Sequence, residues 1–166
     1  MGLIIKDKIA SLMKGYPTVS DKYDVRGATL ADTSAEGHFG DIVKYNGDGF
    51  FTVVSSTNTI AKATDVAGVL LATNVKVITD FFKGSSMNVA TQPREAFNLC
   101  VKGFVALEVK SGTDLTTLKE GLQAGLTTDG KLTLSTTASA IAVNWFFTGV
   151  TETMDDGTLL AEVEMR

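Results

Sequence analysis

The stretch that decides the fold class is Ile42-Val43-Lys44-Tyr45-Asn46-Gly47-Asp48-Gly49-Phe50-Phe51-Thr52-Val53-Val54. Two runs rich in β-branched and aromatic residues, which favour strands, flank a central Asn-Gly-Asp-Gly. Asn-Gly and Asp-Gly supply the positive φ angles that a tight hairpin turn requires. The stretch therefore predicts a β-hairpin.

Two further hairpins are predicted on the C-terminal side. One is centred on Asp129-Gly130, between apolar alternations that run from Leu126 to Leu134. The other is centred on Asp155-Asp156-Gly157 and is followed by a half-exposed strand over 159–164. Short strands separated by turn residues, with 16 glycines and only two prolines, predict an all-β fold with little helix.

The chain also contains an internal repeat. Placing Gly40 on Gly121, an offset of 81 positions, aligns without a gap Asp48-Gly49 with Asp129-Gly130, Thr52 with Thr133, and Gly68-Val69 with Gly149-Val150. With a gap, Arg26-Gly27 precedes the first unit as Lys102-Gly103 precedes the second, at an offset of 76. The repeat predicts two tandem, similar β-barrel or β-sandwich units, and the alternative is a single β-sandwich with coincidental turns.

The predicted organisation has four parts. Residues 1–24 form an N-terminal arm, 25–77 the first β unit, 78–99 a linker or insertion, and 100–166 the second β unit. Within the arm, five apolar residues share one face at helical spacing, namely Ile4, Ile5, Ile9, Leu12 and Met13. They either contact a partner or pack against the protein's own barrel.

Composition argues against several classes of function. The net charge of −4 disfavours nucleic acid as the main partner, because such binders neutralise phosphates with a basic field. Apolar runs are too short for a membrane span of about 20 residues, and Lys6, Asp7 and Lys8 interrupt any signal-peptide core. We therefore expect no nucleic-acid or membrane partner, and synthesis in the cytoplasm.

The sequence offers little catalytic chemistry. Cys100 lies in an apolar run and His38, the only histidine, lies in a Gly-rich turn, so we expect no enzyme, no metal site and no cofactor. Adjacent aromatic residues place one ring on each face of a strand, and Phe82 and Trp145 are the candidates for a subunit interface. The alternative for both rings is a place in the core.

The two units resemble a pattern found in tailed-phage virion proteins. The first carries Gly40-Asp41-Ile42-Val43, then Asp48-Gly49, then Ala67-Gly68-Val69; the second carries Gly121, Asp129-Gly130 and Thr148-Gly149-Val150 but lacks the acidic residue after its first glycine. Over residues 25–77 and 100–166 the chain resembles bacteriophage head-decoration, or capsid cement, proteins of the lambda-like small β-barrel group.

This resemblance implies a structural virion protein that binds the outside of the capsid and stabilises it. It also implies the major capsid protein and other copies of the chain as partners, with a trimer favoured. The candidate capsid contacts are then the apolar residues of the arm. The alternative is a carbohydrate-binding or receptor-binding module of a fibre or adhesin.

Overall fold

The computed structural model describes Leu12, Lys14, Gly15, residues 24–71 and residues 90–166. This part of the chain contains two short 3₁₀ helices, Ala63–Asp65 and Leu115–Thr117. Its strands are β1 (Asp24–Thr29), β2 (Gly37–His38), β3 (Ile42–Gly47), β4 (Phe50–Val53), β5 (Val66–Leu71), β6 (Ala90–Thr91), β7 (Ala96–Glu108), β8 (Gln123–Leu126), β9 (Leu132–Leu134), β10 (Ile141–Thr153) and β11 (Leu159–Met165). The prediction of an all-β fold with little helix is confirmed. In the described ranges no helix is long and apolar enough to cross a membrane.

One antiparallel sheet runs through the molecule in the order β4-β3-β5-β7-β11-β10-β8-β9, and β1 pairs with β7 beside this path. The 13-residue strand β7 belongs to both halves. Its first part pairs with β1 and β5, and its second part pairs with β11. We define the first unit as β1, β3, β4, β5 and residues 96–102 of β7, and the second unit as residues 103–108 of β7 with β8 to β11.

Each unit curls so that its first strand approaches its hairpin. A parallel bridge joins Leu30, just after β1, to Phe51 in β4, and an equivalent bridge joins Val109, just after β7, to Leu132 in β9. Curling of this kind protects sheet edges that would otherwise pair with other chains. The enclosed side chains of the first unit are apolar and buried: Ala28, Leu30, Val43, Val53, Leu70, Phe97 and Leu99.

The hairpin registers confirm the tandem repeat. In the first unit β3 and β4 pair residue 43 with 53, 44 with 52, and 45 with 51. In the second, β8 and β9 pair residue 124 with 134, 125 with 133, and 126 with 132. Every partner is displaced by 81 positions, which is the offset predicted from the sequence.

The predicted alignment of the closing strands is wrong by four residues. The Gly40 N–H donates to the Leu70 carbonyl at 2.7 Å, and the Gly121 N–H donates to the Phe147 carbonyl at 2.9 Å. Leu70 therefore corresponds to Phe147, and Gly68-Val69 corresponds to Trp145-Phe146 rather than to Gly149-Val150. The physical reason is a shorter connection between the hairpin and the closing strand in the second unit.

The predicted match upstream of the units is also shifted. Because Leu30 corresponds to Val109 through the equivalent bridges, Arg26-Gly27 corresponds to Val105-Ala106 and not to Lys102-Gly103. The offset there is 79, not 76. In addition, β7 begins at Ala96, inside the segment 78–99 that the sequence assigns to a linker. Glycine recurs at turns and strand ends throughout β proteins, so isolated glycine pairs do not fix a register.

Candidate functional site

The two units meet over an apolar face of the first unit. Along its strands, side chains alternate between the interior of that unit and the outward face. Val43 points inward, for example, while its neighbour Ile42 packs in the cluster that contains the core of the second unit. The outward set in that shared cluster is Ile42, Val54, Ile60, Val69, Leu71 and Cys100. The first unit is therefore packed directly onto the second.

The hairpin of the second unit, β8–β9, completes this junction. The Ile60 N–H donates to the carbonyl of Thr128, in the hairpin turn, at 3.0 Å. Gly130 lies so close to the first unit that a Cβ placed on it would be 3.2 Å from Val54 and 3.3 Å from Ile42. Only a residue without a side chain fits this turn against the first unit without displacement.

Part of the N-terminal segment is built into the same region. Leu12 is 2% exposed and packs with Ala106 and Leu160. Its N–H donates to Glu152 at 2.8 Å, and the Gly15 N–H donates to the Ala106 carbonyl at 2.9 Å. The sequence leaves two alternatives for the apolar arm residues, contact with a partner or packing on the protein's own strands. Leu12 packs on the protein's own strands. Ile4, Ile5, Ile9 and Met13 lie outside the described residues.

Charged side chains link the two units at the junction. Lys14 Nζ lies 3.0 Å from an Asp41 carboxylate oxygen and 3.4 Å from Glu108 Oε2, and Lys131 Nζ lies 2.6 Å from the same Glu108 oxygen. Burial acts to raise the pKa of Glu108, but the two ammonium groups outweigh it, so the pKa lies below its ordinary value. Lys14 of the N-terminal segment therefore bridges Asp41, next to the first unit, and Glu108 of the second, and Glu108 also pairs with Lys131.

Large apolar side chains are exposed in two places on the described surface. Tyr45 (58% exposed) and Phe50 (43%) lie on the β3–β4 hairpin, and Leu122 (41%) and Val150 (42%) lie on the second unit. The Tyr45 ring packs edge-on against Phe51 with centroids 5.7 Å apart, and its hydroxyl accepts the Gly49 N–H at 3.0 Å. The tyrosine is thus held in place at the surface.

The sequence did not single out these four residues. At the repeat offset, Tyr45 corresponds to Leu126, which is 0% exposed. One repeat position is thus buried in the second unit and exposed in the first. A comparison of the two repeats would have drawn attention to Tyr45 as an aromatic at a core-like position.

Trp145, one of the two predicted interface aromatics, is 6% exposed and belongs to the shared core cluster. It lines a groove of about 290 Å³ between the units, together with Ala63, Val66, Val101 and Arg166. The Trp145 ring is therefore part of the core, which is the alternative to a place in a subunit interface. Phe82, the other predicted aromatic, lies outside the described residues.

Cys100 and His38, the two residues that the sequence offers as reactive groups, each contact neighbouring polar groups. The Cys100 S–H donates to the Lys102 carbonyl at 3.2 Å, and burial raises the pKa of the thiol to about 11, so the thiol is protonated at neutral pH. His38 lies 3.7 Å from carboxylate oxygens of Glu36 and Asp41. In the described ranges no three potential ligands group to hold a metal ion.

Comparisons with known proteins bear on the fold. No family model matches the sequence, and no curated protein sequence matches it. A chain of the solved structure "The capsid of Myoviridae Phage XM1" is similar to this one with a TM-score of 0.64 and 16% identity. The similarity covers 100% of this chain and 97% of that chain. The two chains therefore share one fold over essentially their whole lengths.

Proposed function

We propose that this protein is a structural component of a tailed-phage virion that binds the outside of the capsid and stabilises it. The observation that carries the proposal is the full-length similarity in fold to a chain of a phage capsid structure. The turn pattern of the two units, which resembles that of head-decoration proteins, supports it independently. In this role the protein is not an enzyme, and its partners are the major capsid protein and further copies of itself, with a trimer favoured.

The architecture suits such a role. A cement protein has to transmit force between shell subunits without deforming, and close packing of the two units across Ile42, Val54 and Gly130 opposes relative motion. Many copies on a symmetric shell turn a weak single contact into firm attachment. A rigid two-unit body therefore serves capsid stabilisation better than two units on a flexible linker.

The contact with the shell is proposed to involve residues 1–11. Leu12 and Gly15 are fixed to β7 and its neighbours, so an arm formed by residues 1–11 would be tethered at the junction. Burial of Ile4, Ile5 and Ile9 on a shell subunit would contribute about 25 cal/mol per Å² of apolar area, less the cost of ordering the arm.

The proposal is tested first by quantitative mass spectrometry of purified virions, with this protein scaled against the major capsid protein. A ratio near one copy per shell subunit is expected for decoration of the whole lattice. A few copies per particle would place it at a vertex or in the tail. Its absence from the particle would refute the virion role.

The arm is tested by adding purified protein to capsids that lack it. Replacing Ile4, Ile5 and Ile9 with serine should lower capsid occupancy without changing the melting temperature. The matched control replaces the interleaved polar residues Lys6, Asp7 and Lys8 with serine and should keep normal occupancy. Equal occupancy for both variants would show that the apolar face of the arm is not the contact.

A glycan-binding module is the second candidate function, favoured by the exposed rings of Tyr45 and Phe50 beside a polar turn. Aromatic faces of this kind can stack on sugars. Specific signals on a glycan array, lost in a Tyr45→Ser/Phe50→Ser variant, would support it over capsid decoration.

A further inference from the structure

The two hairpins of the repeat have the same backbone register but different surroundings. The β8–β9 hairpin of the second unit packs on the outward face of the first, through Thr128 and Gly130. The β3–β4 hairpin of the first unit is its equivalent and leaves Tyr45 and Phe50 exposed. One hairpin therefore has a docking partner within the chain, and the other presents two large apolar side chains to solvent.

The second unit has a surface equivalent to the one that receives β8–β9. By the repeat, Ile42 and Val54 of the receiving face correspond to Gln123 and Ser135, and Val69 corresponds to Phe146. Gln123 is exposed, while Ser135 and Phe146 are half-buried. The Arg166 guanidinium also lies 4.3 Å from the centre of the Phe146 ring. This equivalent face is therefore partly open to solvent and more polar than its covered counterpart, as in interfaces that form between separately soluble subunits.

Exposed apolar residues border this equivalent face. Leu122 directly precedes Gln123, and its carbonyl accepts the N–H of Phe147, next to Phe146. Val150 lies farther along the same strand, β10, beyond Phe147. The exposed Leu122 therefore lies beside the free face, and the exposed Val150 lies farther along β10.

We propose that the β3–β4 hairpin of one copy docks on the Gln123–Ser135–Phe146 face of the next copy, repeating between chains the contact made within the chain. The bound partner is a second copy of this protein. Such a contact is head-to-tail, because it joins two different surfaces. We propose that the rotation between copies closes a ring in which every hairpin is covered, so that a trimer of this kind contains six similar units.

The chemistry of the two surfaces supports this arrangement over docking of hairpin to hairpin. A hairpin pair would bury Tyr45 and Phe50 but leave Leu122 and Val150 exposed. The head-to-tail contact instead places Tyr45 and Phe50 beside Leu122. The interface would form whether or not the protein binds a capsid, so it can be tested on purified protein and can fail independently of the virion role.

The first test uses two variants that break opposite sides of the interface. Tyr45→Ser/Phe50→Ser removes the apolar surface of the hairpin, and Leu122→Asp places a charge beside the receiving face. Tyr45, Phe50 and Leu122 are 58%, 43% and 41% exposed and lie outside the buried core, so melting temperatures should stay near that of the wild type. In sedimentation velocity, concentrated wild-type protein should form a closed ring, and each variant alone should be a monomer.

Mixing the two variants then distinguishes the geometry. The Leu122→Asp chain keeps a normal hairpin, and the Tyr45→Ser/Phe50→Ser chain keeps a normal receiving face. One chain of each kind can therefore form a single intact contact. The mixture should contain dimers and no larger species. The control substitution Asp155→Ser, in the exposed β10–β11 turn, should leave the ring unchanged. A wild type that stays monomeric at all concentrations, or variants that do not rescue each other, would overturn the proposal.

Cross-linking provides a second measurement. A Cβ on Gly130 would lie 3.2 Å from Val54 within the chain, so Asp48, next to the equivalent Gly49, should approach Ser135 of the neighbouring copy. A mixture of Asp48→Cys and Ser135→Cys chains treated with oxidised glutathione should form disulfide-linked dimers, whereas Asp48→Cys with Asp155→Cys should not. Cys100 should not interfere, because it is buried. Equal cross-linking of both mixtures would contradict the proposed interface.

Discussion

The β3–β4 and β8–β9 hairpins form a natural comparison within one chain. They share a pairing register displaced by 81 positions, and each has an Asp-Gly turn. Yet Leu126 is fully buried while its equivalent Tyr45 is 58% exposed. The repeat determines the backbone of each hairpin, whereas the position of the unit in the chain determines which side chains are buried.

The largest expected difference in stability is between truncation of Leu126 and truncation of its equivalent, Tyr45. Leu126→Ala removes a side chain from the shared core and should lower the free energy of unfolding by about 2–5 kcal/mol. Tyr45→Ala should cost only about 1 kcal/mol in the monomer, because it removes the edge-on contact with Phe51 and the bond to Gly49 but little buried area. Urea denaturation of both variants at low protein concentration gives the two values. Equal losses would mean that the two hairpins are equally supported.

The next largest loss of stability is expected from the N-terminal segment around Leu12. Leu12→Ala should lower the free energy of unfolding by about 2–4 kcal/mol, because Leu12 fills a buried site against Ala106 and Leu160. Deleting residues 1–11 should leave the melting temperature almost unchanged, while deleting 1–15 should lower it by several degrees. Thermal denaturation of the two truncated proteins separates the two parts of the N-terminal segment. Identical curves would contradict an anchor at Leu12.

The two turn glycines sharpen the comparison further. Gly49 and Gly130 have φ angles of 83° and 86°, so alanine is strained at both, by about 1–2 kcal/mol. Gly49 has nothing within 4 Å of an added Cβ, but Gly130 has Val54 and Ile42 in tight contact. Gly130→Ala should therefore cost about 1 kcal/mol more than Gly49→Ala, by analogy with overpacking. Chemical denaturation of both variants measures the difference, and a larger loss at Gly49 would place the docked hairpin elsewhere.

The smallest effect concerns the charges at the junction. The depressed pKa of Glu108 contributes stability at any pH above its unfolded value near 4.5, and that contribution is lost as pH falls through the lower folded value. Glu108→Gln should therefore cost about 0.5–1 kcal/mol at pH 7. The loss should shrink as the pH falls below 4.5 and vanish below the folded pKa of Glu108, as measured by denaturation across pH. A loss independent of pH would mean that Glu108 acts through packing rather than charge.

The sequence was sufficient for the hairpins because their signal is local. Asp48, Gly49 and Gly130 have positive φ angles that few other residue types adopt, and the flanking residues pair around these turns. The all-β fold and the tandem units follow from these turns. Local turn chemistry survives in the final structure because nothing distant competes with it.

The closing strands were misaligned because their signal is not specific. The matching dipeptides Gly68-Val69 and Gly149-Val150 lie four residues out of structural register, although both lie in strands of corresponding pairs. Glycine and valine meet no position-specific requirement there, so their coincidence carried no information on pairing. Only the hydrogen bonds of Gly40 and Gly121 establish the true equivalence.

The burial of individual aromatic residues depends on contacts between units, which the sequence does not encode locally. Trp145 was a candidate for an interface and is buried in the shared core, whereas Tyr45 was not singled out and is exposed. Both outcomes follow from how the second unit packs on the first. Strand periodicity predicts which residues share a face, but not what lies against that face.

The shared strand β7 has a consequence for dividing the chain. Residues 96–102 complete the first unit and residues 103–108 begin the second within one unbroken strand, so separating the units means cutting through the strand that joins them. Cutting the polypeptide chain between these two parts of β7 should give fragments that are each unstable alone but able to reassociate. Evolution can therefore exchange or lengthen turns in either unit, but a first unit moved alone to another protein would expose the apolar face that the second unit now covers.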